Sequence, residues 1–418
     1  MTYLKAREHL NSFINYERQN SYPYQSSFRL ERARRLLQSL GSPQEALRAT
    51  HIAGTKGKGS TCIFVANVLK EAGFRVGLYT SPHLVDVRER IRVLPEEEIA
   101  KKDFSGLIKK IKPQAEKLRQ TKLGSLSYYE ILTALAFLYF KEKRCDFVVL
   151  ETGIGGRLDA TNLVSSLVCA ITPISYEHTE VLGNTLGEIA AEKAAIIKDK
   201  SQIVITAPQR PSVLAVIRRR AKKIGAELRQ VGEDIQITGL KVGLLGRHQI
   251  INATVAVGCL RALRCLGVKI SPEAIKEGLK NTRWPGRLEI ISRRPKIILD
   301  AAHNQASASA LKEALDKFFK FRKLILVFGV SQDKDVKGIL KELAPQAARI
   351  ILTKANSPRA MQPEVIKSFI KANGRVVSSS GNPQQALKVA RQSAGQKDLI
   401  LVCGSLYLLG EVLKSERQ

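Results

Sequence analysis

The chain is poor in cysteine, has a single tryptophan and lacks any long apolar run. Its six cysteines, at 62, 145, 169, 259, 265 and 403, form no CxxC pair, and the closest two, Cys259 and Cys265, share one helical pattern. Neither a zinc framework nor a disulfide scaffold is supported. The longest apolar stretch, Ile131 to Phe140 between Glu130 and Lys141, is half of the roughly 20 residues that a membrane-spanning helix needs, so it reads as a buried helix. Met1 to Leu10 carries Lys5, Arg7 and Glu8 without the apolar core of a secretory signal, which places the expected protein in the cytoplasm, away from the membrane. Acidic residues are also scarce: 68 Lys+Arg against 38 Asp+Glu leave a net charge of +30. That excess favours anionic partners. Its densest block, Arg218, Arg219, Arg220, Lys222 and Lys223, reads as a solvated helix face. No aromatic stripe accompanies the block and no nucleic-acid module is recognisable, which weighs against nucleic acid as a partner.

What is present is abundant core material. With 418 residues, 44% hydrophobic and 25% charged, the chain is long enough for two or three domains of about 100 to 200 residues each, and disorder is excluded for most of it. β-branched apolar runs alternate with helical patterns, the signature of an α/β fold built on parallel sheets. Strands are predicted at Ala49 to Ala53, Val76 to Thr80, Phe147 to Thr152, Leu167 to Thr172 and Ile203 to Thr206, and helices at Ser60 to Ala72, Tyr128 to Glu142, Thr185 to Ile197 and His248 to Leu266. A second series runs through Ile297 to Ala301, Leu324 to Phe328, Ile350 to Thr353 and Leu399 to Cys403. Between the series, Trp284-Pro285-Gly286-Arg287 and Arg293-Arg294-Pro295 concentrate breakers and charge, which sets the expected domains at 1–290 and 291–418.

The predicted strand at Ala49 runs into Gly54-Thr55-Lys56-Gly57-Lys58-Gly59-Ser60-Thr61, and a helix follows at once. Glycines let backbone N–H groups turn toward phosphate oxygens, the helix N-terminus adds positive potential, Lys58 reaches terminal phosphates and a hydroxyl can meet Mg²⁺. The strict G-x-x-x-x-G-K-[ST] pattern is not met, because Ile52 stands at its first glycine and Gly59 separates Lys58 from Ser60. The context of strand, glycines, lysines and helix still points to a nucleotide. Glu151 ends another strand and opens a Gly-rich turn, placing a carboxylate where open α/β sheets collect ligands; beside a phosphate loop it suits Mg²⁺. Asp300, followed by His303 and Asn304, stands at an equivalent strand end in the second series. Lys193, on pattern alone, is an exposed residue of an amphipathic helix.

Gly54-Thr55-x-Gly57-Lys58-Gly59-Ser60, Thr80-Ser81-Pro82-His83-Leu84, Glu151 through Asn162, His178, Glu192-Lys193-Ala194, Gly246-x-His248-Gln249-x-x-Asn252, Trp284 through Arg287 and Asp300-x-Ala302-His303-Asn304 follow one another along nearly the whole chain. In this order they resemble the folylpolyglutamate synthase and dihydrofolate synthase branch of the Mur ligase superfamily, in its bifunctional bacterial form. The resemblance implies an N-terminal P-loop parallel-sheet ATPase domain followed by a smaller C-terminal Rossmann-like α/β domain. It implies Glu151 as a magnesium ligand, with hydroxyls from Ser60 and Ser81, an imidazole from His178, and Lys193 as a carbamate holding a second magnesium. It implies a nucleotide held by Gly54 through Thr61, with Asn252 at the adenine edge, Arg287 on phosphate, and Asp300 and His303 on the ribose and phosphate side. Tyr129 could stack a heterocycle and Asp159 could accept from a pterin's N–H groups, with Arg157 beside them in the acceptor site. Glu177 replaces the family's common Asp before His178, and Ala301 and Gln305 replace its Gly and Pro.

The implied reaction is ATP-dependent amide formation, in which a pteroyl or folyl carboxylate becomes an acyl phosphate and L-glutamate captures it. Lys58, Lys193 and His303 are the expected catalytic residues, ATP and Mg²⁺ the cofactors, and dihydropteroate or reduced folate with L-glutamate the partners of a monomeric chain. Two readings from other classes stay open here: a plain P-loop ATPase without an amino-acid acceptor, and a nucleic-acid-dependent ATPase that would use the +30 charge. A Mur-type ligase with another acid substrate is the nearest relative reading. Residues 1–48 before the phosphate-loop strand are too few for the extra amino-terminal domain of the peptidoglycan-type enzymes.

Overall fold

The computed structural model describes residues 1–18, 28–199, 202–370 and 376–416. They divide into two compact units: Met1–His83 with Val87–Gly243 and Gln249–Thr282, and Leu84–Asp86 with Leu244–His248 and Arg283–Gln418. Both are α/β.

In the first unit β1 (Ala49–Ala53), β2 (Val76–Tyr79), β3 (Ile91–Leu94), β4 (Glu97–Glu98), β5 (Phe147–Glu151), β6 (Ser166–Ile171), β7 (Ile203–Thr206) and β8 (Glu227–Gln230) form one sheet in the order β4-β3-β2-β5-β1-β6-β7-β8. It is parallel from β2 to β8, and β3 and β4 pair antiparallel at one edge. Strands β1 and β5 are buried along their whole length, as central strands of a parallel sheet covered on both faces are. Helix α1 (Lys58–Glu71) follows β1, and α2 (Tyr128–Glu142) precedes β5. Helix α2 begins where predicted because Ser127 and Glu130 close a reciprocal capping box, and it is buried from Glu130 to Phe140. No helix among the described residues is long and apolar enough to cross a membrane. Helix α3 (Leu186–Ala194) stops three residues short of the predicted Ile197, since Ile196 and Ile197 leave the helix to bury themselves in the core beside β6 and β7. The cationic block lies on the helix Pro211–Ile224, whose Val213, Leu214, Ile217 and Ala221 face inward while Arg218, Arg219, Lys222 and Lys223 are exposed. Helix α4 (Arg247–Cys265) and α5 (Pro272–Asn281) complete the part that bears on the site.

The second unit contains β9 (Glu289–Arg293), β10 (Lys296–Asp300), β11 (Leu324–Phe328), β12 (Ala347–Leu352), β13 (Val376–Ser379) and β14 (Leu399–Cys403), ordered β13-β12-β11-β14-β10-β9. Only β9 runs antiparallel among these described strands. Helix α6 (Gln305–Phe318) follows β10.

Candidate active site

Strands β2, β5, β1 and β6 are successive neighbours, so their carboxyl ends lie side by side at the edge where such sheets bind ligands. At this edge β1 turns through Gly54–Gly57 into α1. Gly54 has φ +146 and a Cβ there would sit 1.9 Å from Thr172 Oγ1; Gly57 has φ +88 and its Cβ would sit 2.1 Å from Asn252 Oδ1. Torsion and space both demand glycine. The amides of Thr55 and Lys56 donate to the Pro173 carbonyl at 3.1 and 3.2 Å, and the Thr55 hydroxyl exchanges hydrogen bonds with the Ser175 backbone, so the loop is pinned to the chain leaving β6. Lys58 and Gly59 are half-buried and Ser60 is buried in the first turn of α1, where unpaired N–H groups and the helix dipole favour an anion. Thr61 behaves differently from the expected phosphate contact. It is fully buried and its hydroxyl is directed to the Asn252 carbonyl at 3.5 Å. Asn252, expected at the adenine, is 3% exposed, packs against Gly57 and donates to Gln249 Oε1 at 3.0 Å.

One strand over, Glu151 pairs in register with Ile52, and its Oε2 accepts the Ser81 amide at 3.1 Å. The Tyr129 hydroxyl donates to the Glu151 carbonyl at 3.4 Å, and its ring lies so close over Gly153 that a Cβ there would meet Cζ at 2.8 Å. Tyr129 thus packs on the Gly-rich turn, with Tyr79 5.8 Å away as an aromatic neighbour. Asp159 is buried, and its two oxygens accept from Gly153 N at 2.7 Å, Ile154 N at 3.2 Å, Thr161 N at 3.0 Å and Thr161 Oγ1 at 2.6 Å. All four bonds run to the turn and its continuation. Arg157 is exposed and reaches α3, with Nε 2.8 Å from Glu192 Oε1.

Lys193 overturns the exposure that its helical pattern suggested. It is 2% exposed, and its Nζ donates to the Gly54 carbonyl at 2.7 Å, at the root of the phosphate loop. Burial, and then the charge of Lys58, lower its pKa to about 7, against the opposing pull of Glu177 and Asp159. A neutral amine beside the loop is therefore accessible near neutral pH. His178 follows β6 on the same edge; it is exposed and holds a left-handed φ of +51, a strained conformation for a non-glycine residue. No group of three or more His, Cys, Asp or Glu that could hold a metal occurs among the described residues. A single carboxylate with serine hydroxyls offers hard oxygen donors, which fit a magnesium ion that shares its shell with nucleotide phosphates.

In the second unit, Arg287, Asp300 and His303 gather at the carboxyl end of β10. Asp300 accepts the Leu288 and Ala302 amides at 3.0 and 2.9 Å; burial pushes its carboxyl up, opposed by the Arg287 guanidinium. His303 Nδ1 lies 2.8 Å from the Ala301 carbonyl, which can only accept, so Nδ1 carries the hydrogen. Gln305 in place of proline does not disturb the start of α6, because Asn304 and Ser307 cap each other there.

The sequence reading passed over His51, a fully buried histidine in β1 just ahead of the loop. An ionisable residue between Thr50 and Ile52 in a central strand was the available signal.

The Mur ligase middle domain family matches residues 52–260, and the Mur ligase glutamate ligase domain family matches residues 286–406. Dihydrofolate synthase/folylpolyglutamate synthase of Bacillus subtilis (strain 168) is 35% identical over 410 residues, covering 92% of this chain and 94% of that protein. The structure of Mycobacterium tuberculosis folylpolyglutamate synthase complexed with ADP and AMPPCP superposes with a TM-score of 0.87 at 30% identity, covering 99% of this chain and 98% of the other. That of the bifunctional folylpolyglutamate synthase/dihydrofolate synthase of Yersinia pestis c092, complexed with AMPPNP and Mn ion, gives 0.84 at 30% identity, covering 100% and 98%. With a phosphate loop, an edge carboxylate and a buried lysine at one sheet edge, and relatives matched from end to end, the chain belongs to the dihydrofolate synthase/folylpolyglutamate synthase family of Mur ligases.

Proposed function

We propose that this protein joins L-glutamate to the carboxylate of dihydropteroate and of reduced folates at the expense of ATP. A substrate carboxylate oxygen bonds to the γ-phosphorus as ADP leaves; the glutamate amine then bonds to the acyl carbon, phosphate leaves and the amine loses a proton. Such transfers depend on positioning and on cations around a charge-spread transition state. Lys58 supplies one charge from the phosphate loop, and Arg287 supplies another. Asp300 and His303 take the ribose and phosphate side of the nucleotide, and Asn252 the adenine side. Glu151, Ser60, Ser81 and His178 would hold magnesium, and Lys193 as a carbamate would hold a second ion; bound there, the metal supplies positive charge to the phosphates. Tyr129, Arg157 and Asp159 form the acceptor side.

The observation that carries this reading is the convergence of Gly54–Ser60, Ser81, Glu151 and the buried Lys193 amine on one sheet edge. The deciding experiment is ADP release by the purified protein, with dihydropteroate and tetrahydrofolate compared as acceptors. Release that requires both a pteroyl acceptor and glutamate supports ligation; release with neither present makes the protein a plain ATPase. If only one acceptor works, the bifunctional assignment fails while the ligase stands. The reading includes a monomeric chain in the cytoplasm, and a dimer mass on sedimentation would overturn the first of these.

A further inference from the structure

His51 is 0% exposed in the middle of β1, and its Nε2 lies 2.8 Å from Thr161 Oγ1. The Thr161 hydroxyl is in turn 2.6 Å from Asp159 Oδ1. With Asp159 ionised, proton accounting along this chain has one solution. Asp159 accepts two backbone amides on Oδ2 and the Thr161 amide and hydroxyl on Oδ1, and these four bonds favour the carboxylate against the burial that pushes its carboxyl up. Thr161 therefore spends its hydrogen on Asp159 and its oxygen must accept from His51, which makes the ring a neutral Nε2–H tautomer. The other ring nitrogen, Nδ1, is buried with no hydrogen-bond partner among the described residues. A buried acceptor left unpaired is costly, and an apolar side chain would suit a central strand better. The cost is offset only if the Nε2–H bond does something an apolar residue could not.

We propose that His51 is a positioning residue of the active site: through Thr161 it holds the Asp159 carboxylate against the Gly153 and Ile154 amides, and so sets the turn that presents Glu151 relative to the phosphate-loop strand. His51 sits on β1, Asp159 organises the turn after β5, and the two strands are neighbours, so the relay ties the loop strand to the carboxylate's own turn. This rests on Glu151 as a metal ligand.

The test uses Mn²⁺ as probe, titrated by electron paramagnetic resonance into the full-length protein with AMPPNP and no turnover. His51→Leu and Thr161→Val should each weaken Mn²⁺ binding by about tenfold, the lower end of the range for partners bonded directly to metal ligands, because they act on Glu151 through the turn. The two changes together should weaken it no further than one alone. His51→Gln, whose amide can donate to Thr161, should stay within about threefold of the wild type. On the wild type, ¹⁵N–¹H correlation of the histidine rings should show a Nε2–H tautomer in the one signal that His51→Gln removes, a result independent of whether the leucine variant folds. Normal Mn²⁺ binding by folded His51→Leu and Thr161→Val, a glutamine variant as impaired as the leucine one, or a Nδ1–H tautomer would each overturn the proposal. Glu151→Gln with unchanged Mn²⁺ affinity would instead sink the metal assignment beneath it, whatever the tautomer shows.

Discussion

Lys193 carries a large electrostatic tension, because an ammonium 2% exposed beside the Gly54 carbonyl has little water to solvate it. Its pKa is about 7 when folded and 10.5 as an ordinary lysine, so between those values the unfolded chain holds a proton that the folded one lacks. Folding stability therefore rises with pH across that window, and the full cost, on the order of several kcal/mol, is in place below it. In CO₂-depleted buffer, Lys193→Met should unfold at higher temperature than the wild type near neutral pH. That gain should shrink as pH approaches 10.5. A difference that does not change with pH would show that the amine is solvated. The same lysine tests the chemistry: Lys193→Ala should abolish ligation, and acetate or formate entering the vacated space should restore part of it, whereas a lysine without a carbamate role would give normal turnover and no response to acid. Glu151→Gln keeps the shape of the carboxylate but not its charge, and should raise the magnesium concentration needed for half-maximal ligation. An unchanged requirement would count against the assignment.

The turn between β1 and α1 works because two constraints meet at Gly57, a left-handed φ of +88 and an Asn252 side chain where a Cβ would go. Gly73, just past the end of α1, has almost the same φ, +89, with nothing within 4 Å of its Cβ position. The pair separates torsion from crowding. Gly73→Ala should cost about 1 kcal/mol of stability and leave ligation untouched. Gly57→Ala should cost the same torsion and also displace Asn252 or the loop, weakening nucleotide binding about tenfold or more by calorimetric titration. Equal stability losses with equal nucleotide affinity would mean that Asn252 yields freely and is no floor to the loop.

Across the molecule, +30 of net charge acts on substrates that are all anionic under the proposed reaction. A field of that sign raises encounter rates and is screened over about 10 Å at 0.1 M salt. The expected outcome is a kcat/KM for ATP and for the folate acceptor that falls steeply with ionic strength while kcat changes little. A flat profile would leave the charge without a part in catalysis.

The phosphate loop was legible because glycine torsions, a helix start and a buried strand are properties of residues within a few positions of one another. The α/β class followed in the same way from local periodicity, and α2 from Ser127 and Glu130. The edge strands β3 and β4 and the helix Lys101–Arg119 were not read. Tertiary neighbours assigned the rest. Lys193 looks exposed on its own helix and is buried by a carbonyl 139 residues away, and His51 finds its partner 110 residues along the chain. Asp159 offers the same oxygens to any donor, and the fold commits them to one turn. Pattern and torsion are local, whereas burial, proton position and pKa depend on which distant groups fill the space around a side chain, and those are known only once the chain has packed.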